Sequence, residues 1–240
     1  MNDNYKQKKP QINTPLRNMI CSGVSQRRAA ILLRVHRTTI VRHLAWLAMM
    51  ARKSHKKWLN QNHQMDVIQF DDMESFEHTK CKPLSITVAV EEKSRKIIAA
   101  EVSRMPAKGH LAKTSRRKYG PRPDKRPIAW DAVLNMLKGI TVDHVLIKSD
   151  QNPHYVSRVR RFLPNAYHER FKGRRGCIVG QGELKEGGFD PIFCLNHSCA
   201  MIRANVNRLF RRTWCTTKIP ERLADHLAIY IQYHNTVLLP

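Results

Sequence analysis

Two stretches decide the reading: residues 65–72, MDVIQFDD, and residues 143–150, DHVLIKSD. Each is a short run of aliphatic, β-branched and aromatic residues, the composition of a strand, and each stops on an acidic side chain. Between them, KPLSITVAVEE alternates Leu84, Ile86, Val88 and Val90 with Ser85, Thr87 and Ala89, the two-residue period of a half-buried strand. RKIIAAEVS follows after a few polar residues, so the pair predicts a hairpin, and a helix over 128–138 precedes the second acidic strand. With a hairpin and a crossover helix between them, the first and fourth strands can lie side by side and parallel. Asp71 and Asp150 then share the carboxyl edge of one sheet, where ligands collect.

Downstream, the pattern predicts a helix over 155–162 that stops before Pro164, a short strand over 167–171 and a Gly-rich loop, GRRGCIVGQGELKEGG, over 173–188. A long helix from about 196 to 213 and a final helix over 220–234 complete the chain. The fold class that follows is mixed α/β: a five-stranded mixed sheet flanked by helices, spanning residues 65–240. Upstream, Ser25 can cap a helix carrying Ala29, Ala30, Leu32 and Leu33, and a second helix begins near Thr38 with Ile40, Val41, Leu44 and Leu47 on its apolar side. That is the shape of a helix-turn-helix within an all-α domain of residues 1–51. Its second helix would offer Arg37, Thr38, Thr39, Arg42 and His43 to a major groove. The polar stretch 52–64 reads as a linker.

Charge points to the partner. The 240 residues hold 43 Lys/Arg against 19 Asp/Glu, a net charge of +24, so a polyanion, double-stranded DNA, is the natural partner. Residues 1–60 carry thirteen basic residues and only Asp3 as an acid. A second basic block, read as a loop over 104–127, includes Arg116, Arg117 and Lys118, and Arg208, Arg211 and Arg212 punctuate the long helix. The longest apolar run, Leu44–Ala51, is eight residues, too short to span a bilayer, so no membrane partner is expected and the protein is placed in the cytoplasm. The glycines of GCIVGQGELK lack the Gly-Lys-Ser/Thr ending of a phosphate loop, so no nucleotide cofactor is expected. Six cysteines include no Cys-x-x-Cys pair, and the spacing of Cys194, His197 and Cys199 is no zinc pattern.

Paired hard carboxylate oxygens suit Mg2+, for which Mn2+ can substitute. Two ions held about 4 Å apart could activate water or a 3′-hydroxyl for in-line attack on phosphorus. Either acid alone is better explained by a strand ending at the surface; it is the two together, on a chain of this charge, that point to a metal site.

The motifs FDDMESF (70–76), VLIKSD (145–150) and NHSCAMIRANVNRLFRRTWCTTK (196–218) carry a resemblance. From about Met19 to Asn235 the chain resembles an insertion-sequence DDE-type transposase, whose catalytic core is RNase H-like and retroviral-integrase-like. The resemblance implies metal-dependent DNA strand cleavage and strand transfer, binding of the element's terminal repeats and target DNA, a homo-oligomer on DNA, and a bacterial or archaeal, nucleoid-associated setting. It implies that Asp71, with Asp72 as substitute, and Asp150 are the first two triad acids. The third, usually Glu with a basic residue seven positions later, falls on Asn196 with Arg203, a phosphate-binding candidate. Asn can ligate a metal but brings no charge; capping the helix is its alternative role, and Glu183 is the fallback acid. Such transposases often carry a zinc ribbon ahead of the helix-turn-helix, and this sequence begins too close to that motif to hold one. Two alternatives stand beside the transposase: a catalytically decayed helix-turn-helix regulator, and an RNase H-like nuclease without strand transfer.

Overall fold

The computed structural model describes residues 7–61, 64–173, 177–178, 181–185, 188–210 and 215–239, with backbone alone at 177–178 and 181–185. Strands β1 (Met65–Phe76), β2 (Pro83–Glu91) and β3 (Ile97–Arg104) form an antiparallel meander. β4 (Thr141–Asp150) and β5 (Tyr167–Phe171) then add in parallel on the other side of β1. The sheet order is β3-β2-β1-β4-β5, a five-stranded mixed sheet. β2 is buried along both faces rather than half-buried, because helices cover the sheet on each side.

On one face, α5 (Arg126–Lys138) and α6 (Pro153–Phe162) bring Trp130, Val133, Leu137, Tyr155 and Val159 onto Ile68, Phe70 and Ile147. On the other, Met73, Ile86, Val88 and Val90 share a core with α7 (Phe193–Asn205) and α8 (Pro220–Tyr233). The same core takes in α1 (Asn13–Ile20), α2 (Gln26–Leu32) and α3 (Arg37–Gln61) through Leu16, Ala29, Ile40, Leu44 and Leu47. The amino-terminal helices are therefore packed on the sheet body. Ser25 caps α2 as expected, accepting from the Arg28 N–H. Arg34 closes that helix in the left-handed conformation, φ 50°, that a glycine usually fills.

Five expectations give way. β1 does not stop on its acids but runs through them to Phe76, held by its pairing with β2 and by Met73 in the core. Residues 52–61 are no linker but the second half of α3: they hold no Gly or Pro to break a helix, and Leu59 is buried against the α5 side of the sheet. The basic block 104–127 contains a helix, α4 (Leu111–Tyr119), tied down by Ser115 Oγ donating to the Cys81 carbonyl at 2.6 Å. Within the Gly-rich stretch, β6 (Cys177–Ile178), β7 (Gln181–Lys185) and β8 (Gly188–Phe189) pair into a small second sheet. The long helix starts three residues early, at Phe193, and ends at Asn205. Among the described residues no helix is long and apolar enough to cross a membrane.

The edge strand β3 is closed by side chains. Asn235 donates to the Ile97 carbonyl at 2.8 Å and accepts its N–H at 2.9 Å, while His55 Nε2 meets the Ile98 carbonyl at 2.8 Å. An unpaired edge invites intermolecular strand addition. Replacing Asn235 by Ala strands two buried backbone groups at about 1–3 kcal/mol each. At a slope of about 2–3 kcal/mol per molar, the urea midpoint is expected to fall by about 1 M; an unchanged midpoint would place edge closure elsewhere.

Candidate active site

The parallel pairing of β1 with β4 aligns Ile68 with Ile147 and Gln69 with Lys148. Two residues further along each strand stand Asp71 and Asp150, level with one another and on the α7 face, since Ile68, Phe70 and Ile147 face α5 and α6. Asp150 ends β4, whereas β1 continues past Asp71 to Phe76 alongside β2, so Asp71 stands just beyond the last β1–β4 pair.

Each acid is anchored through one oxygen. Asp71 Oδ1 accepts from the Asp72 N–H at 2.6 Å and the Tyr155 hydroxyl at 3.3 Å. Asp150 Oδ1 accepts the Asn152 N–H at 2.9 Å, and Asn152 in turn caps α6 by accepting from the His154 N–H. No described residue donates to Oδ2 of either acid. Burial, then the charges of Asp150 and Asp72, push the Asp71 pKa up to about 7, against the two hydrogen bonds it accepts. Burial and the three neighbouring carboxylates drive the Tyr155 phenol far above its usual range, so it stays a neutral donor.

Asp72 points to the other face. Thr87 donates to its Oδ1 at 2.6 Å and Trp130 Nε1 to its Oδ2 at 2.9 Å, so both oxygens are engaged in the α5 packing layer. Burial raises its pKa as well. The pleat thus divides an acidic pair that looks interchangeable in sequence.

Asn196 reaches this face through α7. Gln69 Oε1 accepts the Leu195 N–H at 2.8 Å, and Gln69 Nε2 donates to Glu92 at 2.6 Å. Lys148 pairs with the same Glu92 at 2.8 Å, so the residues two before each candidate acid are linked and pin the start of α7. One turn beyond Asn196, burial pushes the Cys199 thiol up to about 12, and it feels the charges of Arg203 and Asp71. Asn196 is not the helix cap: its N–H already bonds Ile192 O within the first turn, and Asp190 accepts the Ile192 N–H. Asp190, 2% exposed, also accepts from Asn196 Nδ2 at 2.7 Å, which leaves Asn196 Oδ1 without a described donor. Arg203 is half-buried on the same helix.

The candidate DNA-facing residues divide. Arg37, Thr38 and Arg42 are exposed on the first turns of α3, with Thr39 half-buried, and His36 Nδ1 lies 2.9 Å from Thr38 Oγ1. His43 turns inward instead: it is 4% exposed, with Nδ1 2.7 Å from Asn13 Oδ1 and Nε2 3.0 Å from the Lys8 carbonyl. It fastens the amino-terminal segment to α3, because position 43 falls on the same helical face as buried Ile40 and Leu47. Arg116, Arg117 and Lys118 are exposed on the last turn of α4, where cations suit the helix dipole. Arg208 is half-buried. Arg211, Arg212, Trp214 and the side chain of Glu183 lie outside the described residues.

Could the acids hold a divalent cation? Among the described residues no three His, Cys, Asp or Glu side chains form a metal-holding group. Two hard carboxylates with an unengaged oxygen each, and the Asn196 Oδ1 as a neutral donor, nonetheless fit Mg2+, which keeps several waters of its own. Tyr155, Gln69 and Asp190 escaped the sequence reading; the signals were Asn152-Pro153 opening a helix directly after Asp150, and Asp190-Pro191 ahead of another.

The raised Asp71 pKa makes a stability prediction. Folding favours its protonated form, so the penalty for its charge is absent below the ordinary value of 3.8, grows with pH and is complete above about 7. In metal-free buffer Asp71→Asn should melt roughly 10 °C higher than the parent at pH 8, at about 1.4 kcal/mol per pK unit and about 2–4 °C per kcal/mol, and the gain should vanish by pH 4. A gain independent of pH would show that Asp71 is not held under charge stress. No family model matches this chain, and no curated protein matches it.

Proposed function

We propose that the protein is a divalent-metal-dependent DNA transposase with an RNase H-like core. The observation that carries the reading is the placement of Asp71 and Asp150 two residues beyond the Gln69–Lys148 pair of adjacent parallel strands, each acid with one oxygen engaged and one open. The strand order, an antiparallel meander followed by two parallel strands, supports the RNase H-like part.

In this reading Asp71 and Asp150 hold two Mg2+ ions, with Asn196 Oδ1 completing the set. Bound cations would supply Lewis-acid activation of water or a 3′-hydroxyl and stabilise the leaving oxygen. Tyr155 and the Asn152 turn fix the carboxylates so that little reorganises during reaction. Gln69, Lys148 and Glu92 fix α7 against the strands and so place Asn196. Arg203 and the cations of α4 grip phosphates, while the outward residues of α3 read or hold the element's terminal repeats. Joining two DNA ends calls for a homo-oligomer on DNA. A catalytically decayed DNA-binding regulator is the second reading, favoured by the neutral Asn196 and by the lack of a third acid among the described residues.

The test is a plasmid carrying the protein's coding sequence with its flanking DNA, incubated with Mg2+ or Mn2+. The parent should nick and join ends, while Asp71→Asn and Asp150→Asn should each lower nicking by at least 10²-fold, about 2.7 kcal/mol of barrier, with DNA binding retained. Nicking that survives both substitutions would overturn the assignment. Binding without nicking by the parent would favour the regulator, and nicking without joined products a nuclease.

A further inference from the structure

Away from the carboxylates, a cavity of about 360 Å³ opens between the starts of α3 and α8. At about 30 Å³ per water, it has room for roughly a dozen waters. Its walls carry four cations, Arg37, Arg208, Lys218 and Arg222, against a single carboxylate, Asp225, and its floor is apolar, with Val41 and Ile229. The one acid is already committed: Asp225 Oδ1 pairs with Arg52 at 2.9 Å and Oδ2 with Arg222 at 3.1 Å. Arg37 and Arg208 have no carboxylate within ion-pair distance among the described residues. Lys218 Nζ lies 2.8 Å from His78 Nδ1 and likewise has no carboxylate within ion-pair distance among the described residues.

Such an arrangement is costly in a protein alone. Burial and the adjacent Arg222 guanidinium depress the Arg208 pKa, with Asp225 opposing only weakly. His226, also on the wall, is held neutral: burial lowers its pKa to about 4, and its Nε2 lies 2.9 Å from the Ile20 carbonyl. It therefore neither adds a cation nor offers a balancing anion. Both long helices, of 25 and 14 residues, also begin at this cavity, and their amino-terminal dipole ends add to the positive potential.

We infer that this cavity is a phosphate-binding pocket, in which Arg208 and Arg222 grip a phosphate from the core side while Arg37 closes on it from α3. Guanidinium forks match tetrahedral oxyanions in bidentate geometry, and the apolar floor suits the sugar beside a phosphodiester. Arg37 and Arg208, about 170 positions apart in sequence, thereby serve one site, and one bound phosphate bridges the amino-terminal helices to α8. The inference rests on the nucleic-acid reading only for the phosphate's source, a DNA backbone rather than free phosphate.

Binding of a fluorescent 30-base-pair duplex, by anisotropy, and of inorganic phosphate, by calorimetry, tests it on the full chain. Arg208→Gln and Arg222→Gln should each weaken duplex binding about tenfold, and Arg208→Lys should weaken it less. Arg160→Gln, on exposed α6 surface, should change it under threefold. The salt slope of Arg208→Gln should be shallower by about 0.9, one phosphate contact. If all four variants bind the duplex equally well, the pocket is refuted while DNA binding stands. If the protein binds no duplex but binds phosphate in an Arg208-dependent way, the pocket stands and the nucleic-acid reading fails. If neither probe binds, the pocket is overturned as well.

Discussion

The parallel register of β1 against β4 is the constraint on which the rest depends. A shift of one residue would turn Asp71 to the α5 face and bring Asp72 to the α7 face, because side chains alternate across a strand. Register is held from both faces. Ile68, Phe70 and Ile147 pack under Trp130 and Tyr155, while Gln69 and Lys148 meet through Glu92 on the opposite side. The acids are thus carried to one place by residues that themselves do no chemistry. Burial first, and the Asp150 charge second, raise the pKa of Asp71 there.

The strands were legible because β periodicity is a local signal, and so was the end of β4 at Asp150; the continuation of β1 past Asp71 and Asp72 to Phe76 was not, because it depends on pairing with β2. What was not legible depended on partners distant in sequence. Residues 52–61 look like a linker by polarity, yet Leu59 finds the sheet and His55 finds the Ile98 carbonyl, and these contacts extend α3. His43 sits among basic residues and reads as a DNA contact, but Asn13, thirty positions earlier, turns it inward. Asn196 looks like a cap only while its helix is taken to start there; the helix begins at Phe193, and Asp190 accepts the N–H of Ile192 just ahead of it. Asp71 and Asp72 are indistinguishable in composition and are separated by the pleat alone.

The amino-terminal helices and the sheet body share one core rather than two. Beyond the packing of α3 on α8, the turn after α1 is bonded to the end of α7, Gly23 N–H to Asn205 O at 2.8 Å. Gly23 has φ +76°, and a Cβ there would meet the Phe210 ring at 2.9 Å, so the close approach requires glycine. A nucleic acid held by α3 would therefore lie in fixed relation to α7 and to the strands that carry the two acids, with the basic cavity at the junction.

In the proposed function, Asp71 and Asp150 act on the same divalent ions. The most direct measurement is an anomalous difference map from crystals soaked in MnCl2 near pH 8, where Asp71 is ionised. Manganese peaks are expected within ligand distance of both carboxylates, on the α7 side of the sheet. Peaks bound to one acid only, or none between the strands while manganese binds elsewhere on the protein, would contradict the proposal.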